Sequence, residues 1–245
     1  MLNIEGVTKQ YNKLDTAVDN LSLRVLPGEI YGFLGPNGAG KSTTIKLITG
    51  MYPVDFGSIT INNFDIKYNT IKAKQSLGYV PDTPNFFLHL KGIEYLNFLK
   101  DVYAVPQERC VNTIMTLATK FNMLHALEDF IQNYSHGMRK KIQIMGSLLH
   151  NPRVWVLDEP LNGLDPKAVF TLKELMREHA EKGNAVLFST HMLETAEHIC
   201  DKIGIINNGV KIFDGVMQEV RNAMQSEVSL EKLFMELTKN DNDTD

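Results

Sequence analysis

Gly35-Pro36-Asn37-Gly38-Ala39-Gly40-Lys41-Ser42 fits the pattern G-x-x-x-x-G-K-[ST], and Ile30-Tyr31-Gly32-Phe33-Leu34 before it is an apolar run that reads as a buried strand. Behind it, Ile45, Leu47 and Ile48 make the apolar face of a short helix that Gly50 can terminate. Strand, glycine loop and helix together are a phosphate-binding unit. Gly35, Gly38 and Gly40 let the backbone turn tightly and gather N–H groups at one point, where the helix N-terminus adds partial positive charge. Lys41 is placed for the β- and γ-phosphates, Ser42 offers a hydroxyl to a bridging magnesium ion, and Thr43 assists at the α-phosphate. Such a loop by itself names no reaction.

Outward from this loop, 245 residues with 43% hydrophobic and 22% charged content suit one globular domain with subdomains. A net charge of −4 gives no overall basic field, so nucleic acid is not expected as the main partner. Cys110 and Cys200 are far apart and lack metal-ligand spacing, which reads as two plain thiols in a reducing compartment. The start Met1-Leu2-Asn3-Ile4-Glu5 has neither the basic nor the apolar region of a signal peptide. No apolar run approaches the roughly 18 to 20 residues of a membrane-spanning helix, so a membrane role has to come through a partner.

Toward the N-terminus, Leu2 to Val7 and Leu21, Leu23 and Val25 alternate as half-buried strands do, and Tyr11 sits between them in a polar loop where a purine ring could stack. Asn12-Lys13-Leu14-Asp15 matches the N-K-x-D guanine-reading pattern but precedes the glycine loop instead of following it, and we read it as accidental. Ser58 to Asn62 and Leu77 to Val80 are further strands. From about 84 to 150 the pattern turns helical, with Ile93, Leu96, Phe98 and Leu99, then Val111, Ile114, Leu117 and Ala118, then Ile142, Met145 and Leu149 as apolar faces. The aromatic-rich opening Phe86-Phe87-Leu88-His89-Leu90 suits either a core or a surface that receives another protein.

Ser135 is placed to cap the last of these helices, and Arg139, Lys140 and Lys141 in its first turn oppose the helix dipole. The plain reading is a solvated basic turn; the sharper one is a second phosphate-binding helix start, where an anion relieves the charge. Val154-Trp155-Val156-Leu157 is a buried strand that ends in Asp158-Glu159-Pro160, where an α/β sheet presents its ligand crevice. Asp158 is suited to hold magnesium or its water, and Glu159, facing the other way, to polarise an attacking water. Asp165 closes a tight loop before a helix begun by Pro166 and stopped by Gly183. The strand Ala185 to Phe188 delivers Ser189, Thr190 and His191 to the same sheet edge. Asn207-Asn208-Gly209 reads as a hairpin turn, two short helices follow, and the acidic stretch 240–245 reads as a frayed tail.

These sites, in this order and spacing over nearly the whole chain, resemble the ATP-binding cassette (ABC) ATPase family. The resemblance implies an α/β P-loop (RecA-like) core, an N-terminal antiparallel β subdomain and an inserted helical subdomain. In its terms Gly35, Pro36, Asn37, Gly38, Ala39, Gly40, Lys41, Ser42 and Thr43 hold the ATP phosphates, Asp158 and Glu159 are the Walker B pair, Asp165 is the D-loop aspartate, His191 the switch histidine, and Tyr11 the adenine-stacking aromatic. Tyr134-Ser135-His136-Gly137-Met138 stands at the signature, usually L-S-G-G-Q, where Ser135 and Gly137 would serve the ATP held by a second copy. Ser42, Asp82 and Asp158 are the implied magnesium contacts. Glu159, His191 and Lys41 are the implied catalytic set. The implied partners are a similar cassette, in a homodimer or heterodimer sandwiching two ATP, and a separate integral-membrane subunit, with the protein peripheral on the cytoplasmic face of the membrane.

Two positions depart from the family pattern. Asp82 occupies the usual Q-loop glutamine position, and His136 and Met138 replace glycine and glutamine in the signature. The stretch 228–238 resembles the C-terminal end of bacterial drug, antibiotic and peptide exporter cassettes. The expectation is therefore the ATPase subunit of an exporter. The alternatives are a translation or DNA-repair ATPase, which would carry two cassettes or a long coiled coil, and a non-catalytic nucleotide-dependent docking module.

Overall fold

The computed structural model describes residues 1–12, 15–83, 87–224 and 230–238. The chain opens with two long antiparallel strands, β1 (Leu2–Asn12) and β2 (Asp15–Val25), then the glycine-loop strand β3 (Ile30–Leu34) and α1 (Lys41–Ile48). Next come β4 (Phe56–Ile61), β5 (Phe64–Asp65), α2 (Thr70–Gln75) and β6 (Leu77–Val80). The helices α3 (Gly92–Val102), α4 (Gln107–Lys120) and α5 (His136–Leu148) lie between β6 and β7 (Val154–Asp158), with two short 3₁₀ turns ahead of α5. The rest is α6 (Pro166–Glu181), β8 (Ala185–Thr190), α7 (Leu193–Ile199), β9 (Lys202–Asn207), β10 (Val210–Val216), α8 (Met217–Met224) and α9 (Leu230–Thr238).

Two sheets result. One is antiparallel in the order β2-β1-β4-β5; the other has six strands in the order β10-β9-β3-β8-β7-β6, parallel except for the β9–β10 hairpin. The parallel strands read as continuous apolar runs because both of their faces are covered. Period-2 alternation divides them: Ile30, Leu34, Trp155, Leu157, Val186 and Phe188 pack in one core with the helices between β6 and β7 and with α6. Tyr31, Phe33, Val154, Val156, Ala185 and Leu187 pack in a second core under the antiparallel sheet. All five residues of β3 are buried, and at roughly 2 kcal/mol for each large apolar side chain this anchors the strand from which the glycine loop hangs.

The α/β expectation holds. Two local readings are corrected. Tyr11 belongs to β1, not to a loop, because the β1–β2 ladder runs out to Asn12 opposite Asp15. That pairing also makes the N-K-x-D match a hairpin end, with Lys13 and Leu14 outside the described residues. Val111 and Phe98 point outward, 44% and 46% exposed, while Cys110 and Leu96 take the buried positions on α4 and α3. Of the aromatic-rich opening, Phe86 lies outside the described residues, and Phe87 and Leu88 are surface residues, 61% and 41% exposed. Stretches 225–229 and 239–245, with the expected tail, also lie outside them. The short helices α2 and α7 were not anticipated.

Candidate functional site

β3 ends at Leu34 and the loop turns through two left-handed glycines, Gly38 (φ +81°) and Gly40 (φ +107°). Gly40 stands at the N-cap of α1, where a Cβ would run into the Ala17 carbonyl oxygen, so a side chain is excluded there. No side chain caps α1, and its first turn holds no acid. Its leading N–H groups thus have no side-chain acceptor, which is the condition for binding an anion. The loop is braced from outside: the β9–β10 turn, with Asn208 and Gly209 both at positive φ, donates Gly209 N–H to Ala39 O at 2.9 Å. Lys41 folds back, its Nζ donating to Gly35 O at 2.6 Å and Pro36 O at 3.1 Å. Burial pushes the Lys41 ammonium below its usual pKa, while Glu159 and Asp158 pull it back up. Tyr11 shares a 3.1 Å hydrogen bond between its hydroxyl and Thr43 Oγ1, and its ring meets Tyr52 edge-on.

The carboxylates come from the neighbouring strands. Asp158, buried at the end of β7, lies in register with Ser189 of β8, whose Oγ donates to Asp158 Oδ1 at 2.6 Å. The same Oγ accepts Glu159 N–H at 3.0 Å. Glu159 is held at φ +42°, an uncommon backbone conformation for a residue with a side chain and one found repeatedly at functional sites. The strand therefore ends in a turn that sends the two carboxylates different ways. Glu159 Oε2 lies 3.0 Å from Nδ1 of His191, just beyond β8. Asp82 is exposed just past β6.

A polar cleft of about 540 Å³ brings Tyr11, Asn37, Gly38, Gly40, Lys41, Ser42, Thr43, Asp82 and Glu159 to one wall-to-wall site. That volume is within the range of small-molecule and cofactor pockets. Gly35, Pro36, Ala39, Asp158 and His191 do not line it; Asp158 is buried at the end of β7 and His191 meets the cleft through its bond to Glu159. Sequence reasoning missed Asp15, Thr16, Ala17, Asn208 and Gly209, which also line it. The hairpin turn at 207–209 is the signal for Asn208 and Gly209 and the N-K-x-D match the one for Asp15, and nothing local says that either stretch packs on the glycine loop.

Ser135, Gly137 and Asp165 are not among the residues lining this cleft. Ser135 caps α5, its Oγ accepting Met138 N–H at 3.2 Å. The His136 ring lies against Gly163 in the loop before α6. Asp165 takes Lys141 Nζ at 2.7 Å and caps α6 by accepting Ala168 N–H, and the Lys141 bond first, then the Ala168 bond, hold its carboxyl below the usual range. The solvated basic turn is thereby corrected. Arg139 donates to the carbonyls of Ile131 and Gln132, Lys140 is fully buried on those of Pro81 and Asp82, and Lys141 is paired with Asp165. Acceptors within the chain relieve the charge that opposes the helix dipole.

A parallel sheet with a glycine loop leading into a helix at its centre, and carboxylates at the ends of adjacent strands, defines a P-loop nucleotide-binding protein. The family model for the ABC transporter domain matches residues 18–162. The linearmycin resistance ATP-binding protein LnrL of Bacillus subtilis (strain 168) is 35% identical over 90% of this chain and 70% of its own. EcsA, an ABC-type transporter ATP-binding protein of the same organism, is 34% identical over 98% of both chains. A solved ATP-binding subunit of an ABC transporter superimposes with a TM-score of 0.93 at 32% identity, covering 98% of this chain and 100% of that one. The chain belongs to the ABC transporter family, as an ATP-binding cassette ATPase.

Proposed function

We propose that the cleft binds magnesium ATP and that Glu159 is the base for its hydrolysis, in a dimer of cassettes that drives export through a separate membrane subunit. The observation that carries this is the Glu159 carboxylate, lining the same cleft as Lys41 and bonded at 3.0 Å to His191. The phosphates lie on the uncapped start of α1, with Lys41 released from the Gly35 and Pro36 carbonyls to meet them, and the adenine stacks on Tyr11. Glu159 takes the proton as water attacks the γ-phosphorus, and the bond to the β–γ bridging oxygen breaks with ADP as the leaving group. Lys41 stabilises the charge that develops, and His191 does so when its Nδ1–H turns from the Glu159 carboxylate to the phosphate oxygens. The Ser42 hydroxyl and the Asp82 and Asp158 carboxylates are hard oxygen donors, few enough to suit magnesium carried in on phosphates, whose charge it offsets.

Ser135 and Gly137, outside their own chain's cleft, are assigned to the ATP of the second copy, with Asp165 beside them; the partner is an identical or a similar cassette. We treat the chain as one domain with the stretch of about 84–150 as its helical subdomain. Among the described residues no helix is long and apolar enough to cross a membrane, so we place the protein peripherally, on the cytoplasmic face. The membrane subunit is assigned to the aromatic surface where Phe87 and Phe98, both exposed, meet edge-on at 5.7 Å. Export is inferred from the resistance function in the name of LnrL.

Purified Glu159→Gln protein is the test. Binding of ATP should stay near the parental affinity while turnover falls about 10²- to 10⁴-fold, the usual worth of a positioned base. Parental turnover in that variant would remove Glu159 from the chemistry. An absence of turnover in the parental protein itself, with ATP bound, would favour the docking-module reading.

A further inference from the structure

We propose that Lys140 is a positioning residue that sets Asp82 against the nucleotide, from the helix that carries Ser135; this rests on the reading of Asp82 as a contact of the bound nucleotide. Lys140 is 0% exposed, and its ammonium donates to the backbone carbonyls of Pro81 at 2.9 Å and Asp82 at 2.8 Å. Taking an ammonium out of water is costly, and a well-packed apolar side chain of the same volume is often neutral or better for stability. Two carbonyls are modest compensation, although the charges of Asp82, Asp158 and Glu159 also favour the protonated form. Stability alone is a poor account of this residue.

Its place in the fold supplies a better one. Val80 is the last residue of β6 and pairs with Leu157, the residue before Asp158, so the chain is fixed up to that point. Beyond it, Asp82 lines the cleft, and Lys140 grips the backbone there from 58 residues away in sequence. On the other side, Lys140 is in the first turns of α5, close behind the Ser135 cap. A shift of Asp82 on meeting nucleotide therefore has a direct connection to the helix start that the second copy meets. The lysine holds the acid at its working distance from the phosphates.

A double-mutant cycle on the full-length protein tests this, with ATP turnover measured for Lys140→Met, Asp82→Ala and the pair. Lys140→Met should lower kcat about tenfold and leave the KM for ATP within about twofold, because the phosphate loop is untouched. In the Asp82→Ala background the same substitution should cost less than about twofold, since no carboxylate is left to position. If Asp82→Ala is slow but Lys140→Met turns over at the parental rate, or the two losses multiply, the proposal is overturned while the reading of Asp82 stands. Parental turnover by Asp82→Ala would overturn both. Should Lys140→Met not fold, Lys140→Gln, which keeps an N–H donor for one of the carbonyls, runs the same cycle.

Discussion

The starts of α1 and α5 are both helix N-termini with basic residues in the first two turns, yet they are finished in opposite ways. α1 has no side-chain cap, a glycine at the N-cap, and one lysine resting on its own loop's carbonyls. α5 is capped by the Ser135 hydroxyl, and each of its three basic side chains is committed to an acceptor in a different neighbouring stretch. Equal helix dipoles therefore do not make equal sites. α1 offers N–H groups without a side-chain acceptor and a cation held by its own loop's carbonyls, as a primary phosphate site requires. The basic residues of α5 are structural ties, so what it can offer a phosphate is the Ser135 hydroxyl and the backbone beside it.

If the contrast is right, α1 should be broken by losing charge and α5 by losing space. Lys41→Ala has the largest expected effect: removing the side-chain partner of the phosphates should weaken ATP binding about 10²-fold or more, measured by equilibrium titration. Unchanged affinity would mean that the loop N–H groups suffice. If Ser135 serves the other copy's ATP as proposed, Ser135→Arg should leave binding to the monomer intact but prevent ATP-dependent dimerisation, because its bulk would occupy the place of that γ-phosphate. Mixing sharpens this. With Lys41→Ala in excess over Ser135→Arg, each inactive alone, a mixed dimer carries one composite site with both defects and one with neither. Partial recovery of turnover would support action across subunits; normal ATP-driven dimerisation of Ser135→Arg by size-exclusion chromatography would refute it.

How much of this contrast is legible in sequence follows from the range of the interactions. The α1 site is nearly local: strand, glycines, Lys41 and Ser42 lie within 13 residues, and the structure brings them together as that spacing suggests. The α5 site is readable only at its cap, where Ser135 bonds Met138 three residues on. The acceptors of Lys140 and Lys141 lie 58 or 59 and 24 residues away, so side chains that look solvated along the chain are paired in space, and Lys140 is buried. The same reason hid the packing of the 207–209 turn on the glycine loop. Tyr11 was misplaced for another cause: polar residues beside it suggested a loop, while cross-strand pairing carried the strand past them.

The smallest expected effect concerns acid. Trp155, the sole tryptophan, donates its indole N–H to Ser147 of α5 at 2.9 Å and meets the His179 ring of α6 edge-on. Burial pushes His179 down to about 4, so in the folded protein it stays neutral where the unfolded chain, at about 6.5, takes up a proton. The unfolded state then binds more protons across that interval, and the stability from burying a neutral ring is full above about pH 6.5 and lost as pH falls toward 4. Between pH 7.5 and 5 the loss is roughly 2 kcal/mol from this residue. His150, two residues past α5 and stacked on Tyr103 at 3.8 Å, is likewise held at about 4 and acts in the same direction. The α5 side of the molecule should thus loosen on mild acidification, seen in denaturant titrations followed by Trp155 fluorescence. His179→Leu should flatten that pH dependence by its own share while leaving ATP binding at the α1 loop unchanged at pH 7.5. An equal pH dependence in the variant would show that His179 is not the group being protonated.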